Sequence, residues 1–222
     1  MSTINGTSKS ETLTGTAGDD DIRSRGGSDY ILAGDGDDLV NATSGGSYYL
    51  YSGSVIVYGG IGNDTIGGTS GNDVIYGDGG DDTIWSRAGD DKVYGGDGHD
   101  KIYGSDGNDI FQGGNGDDNI SGGDGNDSLD GGDGADTLYG NDGDDTLDGG
   151  AGDDYLRAGP GNDTLYGRAG DDRIQTSGSN ALVYGGDGND LINTTATSSY
   201  LTSGTLVAYG EAGNDRIKGG SS

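Results

Sequence analysis

A period of nine residues runs unbroken from Gly59 to Gln175, and nothing else in the sequence restricts the fold as tightly. A chain that repeats so short a unit stacks equivalent coils along one axis, because no single unit can bury a core of its own. Typical copies read GGDGNDSLD over 122–130, GGDGADTLY over 131–139 and GNDGDDTLD over 140–148. Three further copies begin at Gly15, Ser24 and Ala33, and two more at Gly185 and Gly210. Residues 176–184 keep the length of a copy and lose its acidic pattern.

Two positions hardly vary. The sixth is Asp in every good copy: Asp20, Asp29, Asp38, Asp64, Asp73, Asp82, Asp91, Asp100, Asp109, Asp118, Asp127, Asp136, Asp145, Asp154, Asp163, Asp172, Asp190 and Asp215. The eighth is always a large apolar residue, from Ile22 through Phe111 to Ile217, which predicts an inward ladder on a strand of period two. Gly at the first, second and fourth positions predicts turns through left-handed backbone.

The pattern G-G-x-G-x-D-x-U-x resembles the repeats-in-toxin family, also called haemolysin-type calcium-binding repeats. The resemblance implies an all-β fold, a right-handed parallel β-roll in which two nonapeptides make one coil, six residues forming a turn and three a short strand. It also implies Ca²⁺ between stacked turns, with the eighteen sixth-position Asp residues as metal ligands. The chemistry suits those residue types: Ca²⁺ takes six to eight hard oxygens, and a Gly-rich turn can aim carbonyls where Asp supplies charge.

Composition turns this into a folding argument. With 39 acidic and 11 basic side chains the net charge is -28, which argues against nucleic acid and anionic membranes as partners. Leu, Ile, Val and Phe make up only 35 of 222 residues, the range of disordered chains. About a dozen or more Ca²⁺ are expected from the number of 18-residue intervals between the Asp residues; roughly fifteen would also offset that charge, and folding is expected to depend on them. No Cys is present and His99 is the one His, which removes thiolate chemistry and leaves zinc or Ser/His/Asp catalysis almost no material. Doubled acids such as Asp90-Asp91 recur along the whole chain without a distinguished nucleophile, so no enzyme is read here.

An 18-residue step sorts the ligands into two columns. One runs from Asp20 and Asp38 through Asp64 to Asp190 and Asp215; the other holds Asp29, then Asp73 to Asp163, and ends where Ala181 takes the ligand position. Residues 42–58 and 194–209 are longer than a copy, lack Asp and replace half-coils on the second side, where they read as hairpin-like insertions around Ser-Gly turns. The expected organisation is a cap over 1–14, one solenoid over 15–218 with those two insertions, and a tail over 219–222. Position nine carries Tyr76, Trp85, Tyr94, Tyr103, Tyr139, Tyr166, Tyr184 and Tyr209, expected on the outer faces. These rows are read first as strand-forming cover and second as a surface for sugar rings.

The leading functional reading is a calcium-binding module that folds on Ca²⁺ binding. The resemblance places it in a bacterial extracellular or cell-surface protein exported by type I secretion. No C-terminal secretion signal is recognisable after Lys218. The alternatives are an adhesion or polysaccharide-binding module and a non-catalytic fragment of a calcium-dependent secreted enzyme or toxin. Their discriminators are glycan binding and the reading frame beyond the chain.

Overall fold

A computed structural model describes residues 1–25, 28–41, 53–177, 180–194 and 206–219. Among these residues twenty-three strands alternate between two parallel sheets, twelve in one and eleven in the other. Odd-numbered strands, β1 (Ser2–Asn5) to β23 (Arg216–Lys218), build the first sheet. Even-numbered strands, β2 (Thr12–Thr14) to β22 (Leu206–Ala212), build the second. Each strand pairs with the one two places on, so the chain crosses between the sheets at every step and winds a β-solenoid. No helix occurs among the described residues. None therefore is long and apolar enough to cross a membrane.

The pitch is the doubled repeat. In β10 (Lys92–Asp97) and β12 (Ile110–Asn115), Val93 faces Phe111 and Tyr94 faces Gln112, each 18 residues on. Longer steps occur only across the two insertions and in both sheets: Ile31 pairs with Val57 and Val183 with Ala208 in the second, Val40 with Ile66 and Ile192 with Ile217 in the first. The insertions thus end in ordinary parallel rungs, β6 (Ile56–Ile61) and β22. The rest of each expected hairpin, over 42–52 and 195–205, lies outside the described residues.

Alternation within each strand builds the core. Eighth-position side chains from Ile22 to Ile192 are sealed between the sheets, each no more than 1% exposed. Ile217, on the terminal strand, is 48% exposed because no further coil covers it. One large side chain per nine residues fills so thin an interior, which is why a chain poor in apolar residues can close it. Small first-position residues complete the fit, as with the buried Ala33 and Ala158.

Close stacking explains the glycines. Gly96 and Gly98 take φ of +117° and +134°, and a Cβ on either would overlap the carbonyl of Asp78 or Gly80 in the preceding coil. Six copies place another residue at the second position with φ between 70° and 82°: Arg25, Asp78, Arg87, Asn141, Arg168 and Glu211. Several reach back to the coil before. The Arg25 guanidinium donates to Asn5 at 2.9 Å, Asn141 donates to Ser121 at 3.0 Å, and Arg168 holds Asp148 at 2.6 Å while lying 4.6 Å over the Tyr166 ring.

The aromatic rows form stacks along the axis. Tyr58, Tyr76 and Tyr94 follow one another at 4.6 and 5.0 Å, nearly parallel, on the second sheet. Tyr166, Tyr184 and Tyr209 repeat the arrangement at 5.2 Å, and Trp85 stacks on Tyr103 on the first sheet. In-register parallel strands bring equal positions to strand spacing, close to the separation of stacked rings.

Candidate metal centre

Turns on each edge of the solenoid carry two polar ladders that run in opposite directions. At the sixth position the side chain reaches towards the N-terminal coil. The Asp82 N–H donates to Asp100 Oδ1, the Asp100 N–H to Asp118 Oδ1 and the Asp118 N–H to Asp136 Oδ1, each at 2.8 Å. At the fifth position the side chain reaches towards the C-terminal coil, as when the His99 N–H donates to Asp81 Oδ1 at 2.9 Å. His99 continues that ladder itself: its Nδ1 accepts the Asp117 N–H at 2.8 Å, which places the ring proton on Nε2. A turn residue with an acceptor at the right reach is all the position asks, so His stands where the neighbouring coils carry Asp.

The sixth-position ladder crosses the first insertion without a break, since Asp38 donates to Asp64 Oδ1 at 2.7 Å across 26 residues. It crosses the second as well, from Asp190 to Asp215 at 3.1 Å across 25. The column from Asp20 to Asp215 is continuous. In the other column Val55 fills the sixth position, donating to Asp73 Oδ1 at 2.8 Å, and Ala181 lies opposite Asp163. The two columns read from the sequence are therefore the two edges of the solenoid, interrupted where the spacing predicts.

Each ladder carboxylate uses one oxygen and leaves the other bare. Oδ2 is buried without a hydrogen-bond partner in fifteen Asp residues: Asp29, Asp38, Asp64, Asp82, Asp91, Asp100, Asp109, Asp118, Asp127, Asp136, Asp145, Asp154, Asp163, Asp172 and Asp190. A native interior does not repeat an unsatisfied charged oxygen fifteen times without a partner for it. Asp20 and Asp73 differ, with both oxygens hydrogen-bonded, and Asp215 is only half-buried at the open end.

Backbone carbonyls converge on the same places. A Cβ built on first-position Gly77 would overlap both Asp82 Oδ2 and the Gly95 carbonyl oxygen, and one on Gly95 would overlap Asp100 Oδ2 and the Gly113 carbonyl. The missing side chain thus leaves a small oxygen-lined recess at each such copy, on both edges. Where Ser86 replaces Gly, its fully buried hydroxyl lies at the Asp91 carboxylate and pulls against the rise that burial causes there. Sequence reasoning attended to the sixth position and missed this first-position oxygen, whose only signal was a Ser in a Gly column.

Electrostatics show how poorly the bare carboxylates tolerate their charge. Burial pushes Asp82 up to about 8 against the pull of the Asp64 N–H, and the carboxylates of Asp100 and Asp64 push the same way. Burial likewise raises Asp64, Asp118, Asp145, Asp154 and Asp172 to about 7, and Asp100 and Asp136 to about 6. No three acidic or His side chains converge on one point among the described residues. An ion in these turns would be held by stacked carboxylates and main-chain oxygens together, the donor set of a hard cation such as Ca²⁺.

Comparison with known families agrees with the donor set. Overlapping matches to the model of the RTX calcium-binding nonapeptide repeat together cover residues 5–40, 52–196 and 207–222. No curated protein matches the chain. With that repeat matched over most of its length on a parallel β-solenoid, the chain belongs to the RTX calcium-binding nonapeptide-repeat family and is a calcium-binding repeat module.

Proposed function

We propose that the sixth-position carboxylates of both columns bind about a dozen or more Ca²⁺ ions and that the solenoid folds as they do. The observation that carries this reading is the recurrence of a buried, unpartnered Oδ2 in fifteen copies of the repeat, eleven of them beside a first-position Gly. Bound Ca²⁺ supplies the positive charge and oxygen coordination that the buried carboxylates lack. The Asp side chains fix coil-to-coil register through Oδ1 and present Oδ2 to the recess. The first-position Gly residues keep that recess open and the eighth-position ladder excludes water behind it.

Without the cation, like charges stacked at strand spacing repel one another and the thin core is set against the entropy of the whole chain. Calcium demand on this scale suits the extracellular space, where the ion is abundant, and a chain kept unfolded at low cytosolic Ca²⁺ is suited to export. The reading is therefore a secreted or cell-surface module of a bacterial exoprotein. Circular dichroism of the chain in excess chelator and in millimolar Ca²⁺ tests it: strand signal should appear only with the ion. An undiminished signal in chelator at neutral pH would overturn metal-driven folding.

The sugar-platform alternative gains little support from the aromatic rows. Ring faces in Tyr58–Tyr76–Tyr94 are turned to one another, whereas a sugar ring needs an open face. The rows brace neighbouring coils.

A further inference from the structure

Three carboxylates that open a ligand run are held by the protein itself. Thr7, Thr16 and Thr69 stand four residues before Glu11, Asp20 and Asp73, at the second position of their coil. The Thr69 N–H donates to Asp73 Oδ2 at 2.6 Å, and its hydroxyl has two acceptors in reach, the Gly53 carbonyl at 2.5 Å and Asp73 Oδ1 at 2.8 Å. The Thr16 N–H donates to Asp20 Oδ2 at 2.6 Å and its hydroxyl to the same oxygen at 2.9 Å. The Thr7 N–H donates to Glu11 Oε2 at 3.0 Å, and its hydroxyl to Oε1. Since Oδ1 of Asp20 and of Asp73 also takes the usual N–H from the previous coil, neither Asp keeps a bare oxygen.

The backbone differs where Thr replaces Gly. Ordinary copies take positive φ at the second position, which Gly adopts freely and which Arg25, Asp78 or Arg168 tolerate. A residue branched at Cβ is excluded from that region, and neither Thr16 nor Thr69 enters it. In this altered turn the Thr N–H faces the carboxylate. Neither this torsion nor a hydroxyl suffices alone, because Ser105 stands at the same position, also outside positive φ, and Asp109 Oδ2 remains unpartnered.

Placement is systematic. Glu11 and Asp20 open the two columns at the N-terminal end, and Asp73 reopens the second column after Val55 has taken a ligand position. We propose that Thr at the second position is an internal substitute for the cation, so that Glu11, Asp20 and Asp73 stay metal-free and each ligand run starts on a turn closed by protein hydrogen bonds. This rests on the calcium reading above and specifies which of its carboxylates are exempt.

Native mass spectrometry of the full chain in saturating Ca²⁺ tests the assignment. Thr69→Gly and Thr16→Gly, each restoring the residue an ordinary copy carries, should add one ion apiece, and the double variant two. Gly96→Thr should remove one by closing the Asp100 turn. A gain of ions cannot arise from misfolding, so the Gly variants carry the positive test and Gly96→Thr the converse. Unchanged counts in both Gly variants with strand signal intact would overturn the proposal. So would an anomalous peak at Asp20 or Asp73 in Tb³⁺-loaded crystals of the unaltered chain. A chain that binds no Ca²⁺ at all would instead overturn the calcium reading.

Discussion

The N–H of Asp100 donates to Oδ1 of Asp118 one coil away at 2.8 Å, while Oδ2 of that carboxylate meets no donor. The two oxygens of one side chain thus serve different ends, register and charge. Substitution can separate them. Asp118→Asn keeps an oxygen for the Asp100 N–H and removes the charge; it should lower the ion count by one and raise the Ca²⁺ midpoint of folding. Asp118→Ala additionally strands a buried N–H, costing about 1–3 kcal/mol more. Urea titration in saturating Ca²⁺ checks the difference, and equal stabilities would show that the Oδ1 bond does not hold the register.

Acid should substitute in part for calcium. Burial raises the metal-free carboxylates of Asp64, Asp82, Asp118 and Asp154 to about 7–8, well above the ordinary value of 3.8. A group whose folded pKa is raised favours the fold while protonated. Its contribution is complete below about pH 4 and is lost as pH rises through about 6–8. Circular dichroism in metal-free buffer should show more strand at pH 4 than at pH 8. With Ca²⁺ the trend should invert, because the ion binds the anion.

Gly98→Ala should be costly even at saturating Ca²⁺. Its φ is +134° and the added methyl would meet the Gly80 carbonyl, so a loss above about 1 kcal/mol is expected. Gly79→Ala is the control, since nothing lies within 4 Å of a Cβ there, and its effect should stay within about 0.5 kcal/mol. Thermal unfolding of the two loaded variants distinguishes a packed turn from a merely Gly-rich one.

Arg168 sets strain against contact. Its φ of 80° is unfavourable for a long side chain, yet it forks onto Asp148 and covers Tyr166. An exposed ion pair contributes about 0.2–1 kcal/mol, similar to the relief Gly would bring, so Arg168→Gly should be nearly neutral. Arg168→Ala loses the pair and keeps the strain, and should be less stable than Arg168→Gly by about 1 kcal/mol. Denaturant unfolding of the pair measures the strain directly.

Much of this molecule was legible in the sequence because its structure is nearly one-dimensional. A period of nine, read twice per coil, gives the pitch that pairs Val93 with Phe111, and the eighth-position ladder gives the core from Ile22 to Ile192. Even the interruptions could be counted, at Ala181 and within the Asp-free insertion over 42–58, where the structure puts Val55 in the ligand position.

Equivalence of the copies was the assumption that only the tertiary structure could test. The motif presents eighteen interchangeable Asp residues, but hydrogen bonds to Thr16 and Thr69 set Asp20 and Asp73 apart from the fifteen with a bare oxygen. His99, a mere substitution in the sequence, proves to be a rung of the fifth-position ladder. Periodicity is local and survives in any copy; which oxygen meets a donor depends on backbone torsion and on the coil stacked beside it. The sequence by itself determined the pitch, the two columns and the core, while the tertiary structure decided which carboxylates are left with charge to neutralise.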